Sequence, residues 1–365
     1  MHTGEQRALL RLVREVSRRQ IAPRAADHTN AAGAQAELFA LLAELDLLGL
    51  PFPRADGGRG QPVAVVCHVL AELSQASLAI GLGTSTHLWS TQVVADHAAP
   101  RIRAEILPRL ISGEWLAAHA LSPDREGRAT ARAVRDGDWY VLDGAAEVAP
   151  SGGRADCYVV GCRSADGEGV VDTVLLVPSD LPGLVDDEVG RVDTPSAGQV
   201  RWSALRVPVD NRLGSEGDGD MIADGALDRA NLGVAACAMG LARAALEAAV
   251  VCVRRAAQQG ASKAVAPAAL VADLAAAVEA AVALCDRAAR ACDAGDAIAV
   301  LAAMARQAAT ATALLVAEHA VEIERDTTVV TAGLGTRYLR EAVGLRLVDG
   351  GEHGPRETIA RTLLG

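Results

Sequence analysis

Residues 107–122 read LPRLISGEWLAAHALS, and two strand-like segments, GDWYVLDGAA (137–146) and ADCYVV (155–160), follow them. Alternating and β-branched residues continue to about residue 213, with Gly, Asp and Pro at the breaks, which is typical of short antiparallel strands. Long Ala- and Leu-rich regions with helical spacing lie on both sides of this segment. The pattern predicts a mostly α fold with a central β domain.

The changes of periodicity predict three domains. We expect an N-terminal α-helical domain (1–114), a middle β-barrel or sandwich domain (115–213) and a C-terminal four-helix bundle (214–365). The predicted helices are 5–21, 36–48, 62–98, 100–112, 227–256, 267–294, 296–325 and 337–347. The Ala-rich faces of the last four helices indicate close helix packing and offer a natural surface for oligomer formation.

Composition excludes several classes of function. The net charge of -11 disfavours a nucleic-acid partner, because nucleic acids are bound through Lys and Arg on phosphates. The longest apolar run falls short of the ~18 residues of a membrane span, and the charged start differs from a signal peptide, so we expect no membrane and a soluble, cytoplasmic protein. The histidines lack helical i, i+4 pairing, which argues against a metal site.

The seven cysteines do not indicate a disulfide framework. They are scattered without a CxxC pair, and their odd number argues against a closed disulfide framework. We interpret them as small core residues in a reducing compartment.

Five segments in order carry a resemblance to a known family. They are EQRALLRLVREVSRRQIAP (5–23), PFPRADGGRG (51–60), LPRLISGEWLAAHALS (107–122), LDRANLGVAACAMGLARAALEAAV (227–250) and RETIARTLLG (356–365). In these segments and in the order of its domains the chain resembles the acyl-CoA dehydrogenase family. The resemblance implies a scaffold for α,β-desaturation of an acyl thioester, in which a carboxylate removes the α proton and FAD accepts the β hydride.

The resemblance also implies where the base lies. The family's Glu-Gly-Thr triplet corresponds to Asp349-Gly350-Gly351, so Asp349 is the candidate catalytic base, shorter than Glu by one methylene. Retraction by roughly 1–1.5 Å can cost about a hundredfold in rate when proton abstraction needs a near-attack geometry. Asp228, which precedes Arg229, occupies the alternative base position of other family members. Both residues can also be ordinary turn or cap aspartates.

The cofactor contacts implied by the resemblance are largely replaced. The candidate FAD-binding residues that remain are Leu121, Ser122, Ser151 and Gly351. The family's Arg-x-x-Phe-Gly and Gln-x-x-Gly-Gly segments, which grip FAD across a dimer, correspond to residues 256–260 (AAQQG) and 322–326 (EIERD). We therefore expect an eroded FAD site. The resemblance implies FAD as the cofactor, but in the leading interpretation this chain does not bind it.

Three functional hypotheses stay open. In the first, the chain is a subunit of a homo- or hetero-oligomeric assembly that desaturates an acyl-CoA or acyl-carrier-protein thioester, and an intact homologous subunit holds the flavin. In the second, it is an active FAD-dependent dehydrogenase with Asp349 as base. In the third, it is a flavin-free acyl-thioester binding protein, isomerase or hydratase, and His353 is a minor alternative acid or base in the same tail.

Overall fold

The structure is a computed structural model that describes residues 3–25, 31–121, 131–148, 155–164, 172–187, 198–258, 265–327 and 333–365. The N-terminal helices are α1 (Gly4–Val16), α2 (Ala22–Ala25), α3 (Ala31–Glu44), α4 (Val63–Ala76), α5 (Leu78–His97) and α6 (Pro100–Ser112). A π-helical turn, Ser17–Ile21, joins α1 to α2. The first helix begins with a capping box, because Thr3 Oγ1 accepts from the Gln6 backbone N–H at 3.2 Å and Gln6 Oε1 accepts from that of Thr3 at 2.8 Å.

The single helix predicted over 62–98 is wrong. Ser77 has an extended backbone (φ -155°, ψ 113°), which ends α4 and provides the N-cap of α5. The two helices then cross closely, because a Cβ on Gly81 would lie 1.8 Å from Ser74 Oγ. The apolar periodicity continues across the break, so the sequence pattern concealed the turn.

Eight strands form one mixed sheet. They are β1 (Ala117–Ala120), β2 (Ala131–Asp136), β3 (Trp139–Val148), β4 (Cys157–Ser164), β5 (Thr173–Pro178), β6 (Leu184–Asp187), β7 (Gly198–Pro208) and β8 (Arg212–Leu213). The order is β6-β7-β3-β2-β4-β5-β8, with β1 also paired to β4. Among the described residues no pairing joins β6 to β8, and closure into a barrel stays a prediction.

The expectation of purely antiparallel strands is wrong for two pairs. Strand β4 runs parallel to both β1 and β2, with His119 opposite Val159 and Ala131 opposite Cys162. Parallel neighbours need a crossover connection. Here the β2–β3 hairpin supplies it, because β3 returns the chain before β4 begins. Alternation within a strand does not encode the direction of its neighbour.

The C-terminal helices are α7 (Gly219–Gln258), α8 (Val265–Asp293), α9 (Ala299–Thr327), α10 (Leu334–Leu345) and α11 (His353–Leu364), with a 3-10 turn at Val348–Gly350. Helix α7 packs against α8, α9 and α10, and α11 packs on α9. The fold class is therefore confirmed as helices, a central sheet and a C-terminal helical bundle. The three domain boundaries stay predictions, and helix gives way to strand between Ser112 and Ala117.

One apolar core joins the two helical parts. Leu70 and Leu73 of α4 share a buried cluster with Ala235 and Ala242 of α7. A smaller cluster lies where α5 and α6 meet β1, β4 and the start of α7, and it contains Val94, Ala117, Val159 and Ile222. Six of the seven cysteines are buried and all seven are free, as predicted for core residues.

Three of the described helices are long and largely apolar. By length and composition alone, α7, the Pro267–Asp293 part of α8 and α9 could cross a membrane. Charged residues interrupt each of these stretches, so their uninterrupted apolar runs are shorter than a membrane span. In α7, 61% of the apolar stretch is buried inside the fold. In α8 only 22% of the corresponding stretch is buried, so α8 presents a largely apolar face outward.

Candidate functional site

Asp349 lies in the turn between α10 and α11. Its backbone is left-handed (φ 49°, ψ 52°), and the next two residues, Gly350 and Gly351, have φ values of 76° and 77°. Asp tolerates this conformation better than most residues, and glycine adopts it freely. At Gly351 a Cβ would also meet the Arg346 carbonyl oxygen at 3.0 Å. The local sequence Asp-Gly-Gly therefore specifies the tight turn that presents the Asp349 carboxylate.

The carboxylate of Asp349 points at a histidine of the sheet. Asp349 Oδ1 lies 3.2 Å from His119 Nε2, and their side chains are only 7% and 4% exposed. The second ring nitrogen, His119 Nδ1, lies 3.0 Å from Ser90 Oγ on α5. A hydroxyl, an imidazole and a carboxylate thus form one buried series of hydrogen bonds.

Strand β1 aims His119 at the helices. Side chains alternate along a strand, so Ala117, His119 and Leu121 share one face while Ala118 and Ala120 pack into the core of the sheet. The start of β1 is fixed by His87, whose Nδ1 accepts from the Ala117 backbone N–H at 3.1 Å.

A buried arginine completes the surroundings of Asp349. Arg306 of α9 is 3% exposed, and its guanidinium donates to Asn231 Oδ1 at 2.8 Å and to the Val348 carbonyl oxygen. Burial alone would raise the pKa of the Asp349 carboxyl, but the hydrogen bond and charge of His119, with the charge of Arg306, hold that pKa below its ordinary value. Asp349 is thus an ionised, hydrogen-bonded carboxylate, which weakens it as a base.

The order Ser90, His119, Asp349 is also that of nucleophilic triads, in which an imidazole activates a hydroxyl. Ser90 is 0% exposed in the middle of α5. An acyl carbon therefore has no path to Ser90 Oγ in this structure, and the series is not a nucleophile site.

The two predicted bases lie in different surroundings. Asp228 is half-buried on α7, and no described contact joins it to Asp349. Burial and the neighbouring Asp224 raise the pKa of Asp228 to about 6, although Arg229 opposes the shift. His353 lies at the start of α11, and its 83% exposed side chain faces Glu357 at 3.9 Å instead of Asp349.

His119 is the site residue that sequence reasoning missed. A search for histidine pairs at helical spacing does not find it, because its partners Ser90 and Asp349 are distant in the chain. The available signal was a single polar residue within the apolar segment LAAHAL, since a buried polar side chain requires a hydrogen-bond partner.

Only part of the predicted cofactor site lies within the described residues. Leu121 follows β1 and is 2% exposed, and Gly351 forms the turn after Asp349. Ser122 and Ser151 lie outside the described residues. These four assignments to FAD stay predictions.

The end of α9 tests whether an FAD pyrophosphate would fit at the position that the resemblance gives it. Glu322 and Asp326 are 55% and 63% exposed, and they pair with His319 at 2.8 Å and with Arg325 at 3.5 Å. A carboxylate offers no donor to a pyrophosphate and repels its charge, and Arg325 and Asp326 carry side chains where glycines would leave the backbone open. The corresponding position on α7 is Ala256, 3% exposed. These residues do not fit the group.

Cations show no dedicated site either. Among the described residues, no group of three or more His, Cys, Asp or Glu side chains could hold a metal ion.

An N-terminal helical part, a mixed sheet and a helical bundle with a carboxylate in the turn before its last helix define the class of acyl-CoA dehydrogenase-like proteins. The chain belongs to the acyl-CoA dehydrogenase family: the family's N-terminal domain model matches residues 3–114 and its C-terminal domain model matches residues 217–364. The resemblance read from the sequence is confirmed.

One curated relative and two solved structures span the whole chain. It is 29% identical to an acyl-CoA dehydrogenase of Bacillus subtilis (strain 168), with 100% of both chains covered. Butyryl-CoA dehydrogenase from Megasphaera elsdenii superposes with a TM-score of 0.92 at 25% identity, over 100% of this chain and 99% of that chain. A structure solved in work on the electron-transferring flavoprotein of Acidaminococcus fermentans gives a TM-score of 0.93 at 26% identity, with the same coverage.

Proposed function

We propose that the chain is a subunit of an oligomeric assembly for α,β-desaturation of an acyl thioester, carried on CoA or on a carrier protein. In this proposal its own FAD site is eroded, and an intact homologous subunit holds the flavin. The chain contributes architecture and part of the thioester channel. Membership of the family supports the substrate class, and the predicted cytoplasmic location belongs to the same proposal.

The observation that carries the proposal is the acidic end of α9. Glu322 and Asp326 occupy the positions of the family's Gln-x-x-Gly-Gly grip and are exposed. Removal of a charge-assisted hydrogen bond costs roughly 1.5–3 kcal/mol. Loss of two or three such bonds lowers FAD affinity by about 10³–10⁵. The low pKa of Asp349 supports the proposal independently, because a stabilised anion is a poor acceptor for an α proton.

The test is FAD content with and without a partner. We expect the purified chain alone to be colourless, because every flavin site of a homo-oligomer would lack these contacts. We expect the chain co-expressed with an intact homologue to form a stable complex with FAD at a ratio below one per chain. Flavin absorbance and FAD released on denaturation measure this ratio. The proposal is wrong if the chain alone retains about one FAD per chain.

A variant that restores the family's segment sharpens the test. Glu322→Gln combined with Arg325→Gly and Asp326→Gly removes the carboxylates and reopens the backbone, so we expect greater FAD retention. Glu105→Gln, at an exposed position of α6, is the matched control for a lost carboxylate and should change nothing. Equal retention in both variants would place the barrier elsewhere.

One observation favours a second candidate, the flavin-free thioester protein. His119 and Asp349 form an imidazole–carboxylate pair, the kind of pair that moves protons in isomerases and hydratases without a redox cofactor. A colourless homo-oligomer that binds acyl-CoA and shifts or hydrates a double bond by itself would favour this candidate over the first.

A further inference from the structure

Three side chains form one hydrogen-bonded series across the interior of the protein, and Arg306 binds the backbone of the turn at its end. Ser90 lies on α5 of the N-terminal helices, and His119 lies on β1 of the sheet. Asp349 and Arg306 belong to the C-terminal part. The contacts are Ser90 Oγ to His119 Nδ1 at 3.0 Å, His119 Nε2 to Asp349 Oδ1 at 3.2 Å, and the Arg306 guanidinium to the carbonyl of Val348.

We propose that this series is an interdomain joint, in which Asp349 is a structural anion that ties the turn after α10 to β1 and, through His119, to α5. The joint uses only side chains of the chain itself and needs no cofactor. The inference therefore goes beyond the proposed function, and it can hold or fail separately.

Burial makes each contact of the joint matter. Ser90, His119 and Arg306 are 0%, 4% and 3% exposed. Water cannot replace a lost partner at such positions, and a buried charge that loses its partner is strongly destabilising. An ionised carboxylate only accepts hydrogen bonds. His119 Nε2 therefore carries the hydrogen and donates a hydrogen bond to Asp349 Oδ1.

The backbone supports the same role. Asp349 has a left-handed conformation (φ 49°), which is uncommon for residues other than glycine and persists where surrounding contacts determine it. The Arg306 guanidinium binds the carbonyl immediately before Asp349, and Asn231 of α7 accepts from the same guanidinium at 2.8 Å. Both the side chain and the backbone of the turn are therefore anchored to other elements.

A double-mutant cycle in the full chain tests the joint. We expect Asp349→Asn and His119→Gln each to raise the unfolding equilibrium constant about tenfold or more. In the double variant this constant should rise about tenfold less than the product of the two single increases. Urea unfolding followed by circular dichroism gives these constants. Independent, multiplicative effects of the two substitutions would overturn the proposal.

The chain supplies a matched control pair. His353 and Glu357 are also a histidine and a carboxylate, but they are 3.9 Å apart and 83% and 57% exposed. The cycle of His353→Gln and Glu357→Gln should show no coupling, because exposed pairs contribute little. Coupling of equal size in both cycles would contradict a special role for Asp349.

If Asp349→Asn fails to fold, the milder Ser90→Ala variant provides the measurement. It removes one hydroxyl and keeps the side chains of His119, Asp349 and Arg306. We therefore expect hydrogen exchange to accelerate at residues 117–120 and 348–351 as well as around Ser90. Acceleration confined to α5 would overturn the joint. FAD bound stoichiometrically by the wild-type chain would instead refute the eroded flavin site, so the two failures are distinguishable.

Discussion

His87 connects three elements through its two ring nitrogens. Nδ1 accepts from the Ala117 backbone N–H at 3.1 Å, so Nε2 carries the proton and donates to the Leu110 carbonyl at 3.1 Å. Burial lowers the pKa of His87 from 6.5 to about 4, although hydrogen bonds to backbone oppose the shift. The folded protein therefore needs the neutral ring, which sets the position of β1 and hence of His119.

The first prediction concerns pH. Between pH 6.5 and about 4 the unfolded chain binds a proton at His87 that the folded chain does not, so this stability is present above pH 6.5 and is lost as pH falls through that window. His87→Leu should destabilise the protein at pH 7 by about 1–3 kcal/mol, because two backbone groups lose their partner. The gap to wild type should shrink by about 2 kcal/mol at pH 5.

Urea unfolding of both proteins at the two pH values checks this prediction, and His353→Gln, at an exposed histidine, should leave the pH dependence unchanged. A gap between wild type and His87→Leu that stays constant from pH 7 to pH 5 would show that His87 is not the titrating group.

At the scale of elements, close approach of helices depends on glycines of α7. A Cβ on Gly240 would lie 2.2 Å from the carbonyl oxygen of Ala71 on α4, and one on Gly233 would lie 2.0 Å from Ser85 Oγ of α5. A backbone carbonyl cannot rotate away as a side chain can. Helix α7 therefore packs against α4 at a distance that only glycine permits at position 240.

The second prediction compares two substitutions on this helix. Gly240→Ala should destabilise the protein by about 1–3 kcal/mol or more, since the helices must separate. Gly225→Ala is the matched control: its Cβ would meet nothing within 4 Å, so the gain in helix propensity should stabilise by about 0.5–1 kcal/mol. Thermal unfolding of both variants measures the difference. Shifts of the same sign would contradict the crossing geometry.

At the scale of the whole molecule, α8 leaves an apolar face uncovered. Only 22% of its apolar stretch is buried, and several alanines on one side of the helix are exposed: Ala268, Ala269, Ala272, Ala276, Ala280 and Ala283. The exposed Glu279 lies on the same side of the helix. Small side chains allow another surface to approach closely, and an exposed face rich in apolar residues is typical of an interaction site. Formation of oligomers through the C-terminal helices is consistent with this face.

The third prediction follows from that exposure. Ala276→Glu should weaken self-association and lower the mass observed by size exclusion with light scattering, because a charge would be buried in the interface. Ala104→Glu, at an exposed position of α6, is the control and should leave the mass unchanged. An unchanged oligomer in Ala276→Glu would exclude this face of α8 as the contact.

The sequence by itself determined the order of helices and strands, the family, and the turn that carries Asp349. Each of these depends on short-range information: a period of 3.6 or 2 residues, and an Asp-Gly-Gly segment whose backbone preferences are local. Where the periodicity ran through a break, as at Ser77, or ignored the direction of a neighbour, as at β4, the same information gave a wrong prediction.

Tertiary structure alone decided the environment of the site. His119 and Asp349 are 230 positions apart, and their contact exists because β1 directs its 119 side chain towards the helices while the turn after α10 returns to the same place. No spacing in the chain encodes that meeting. The charge state of Asp349 depends on it, since the low pKa arises from His119 and Arg306, partners that only the folded chain brings within reach.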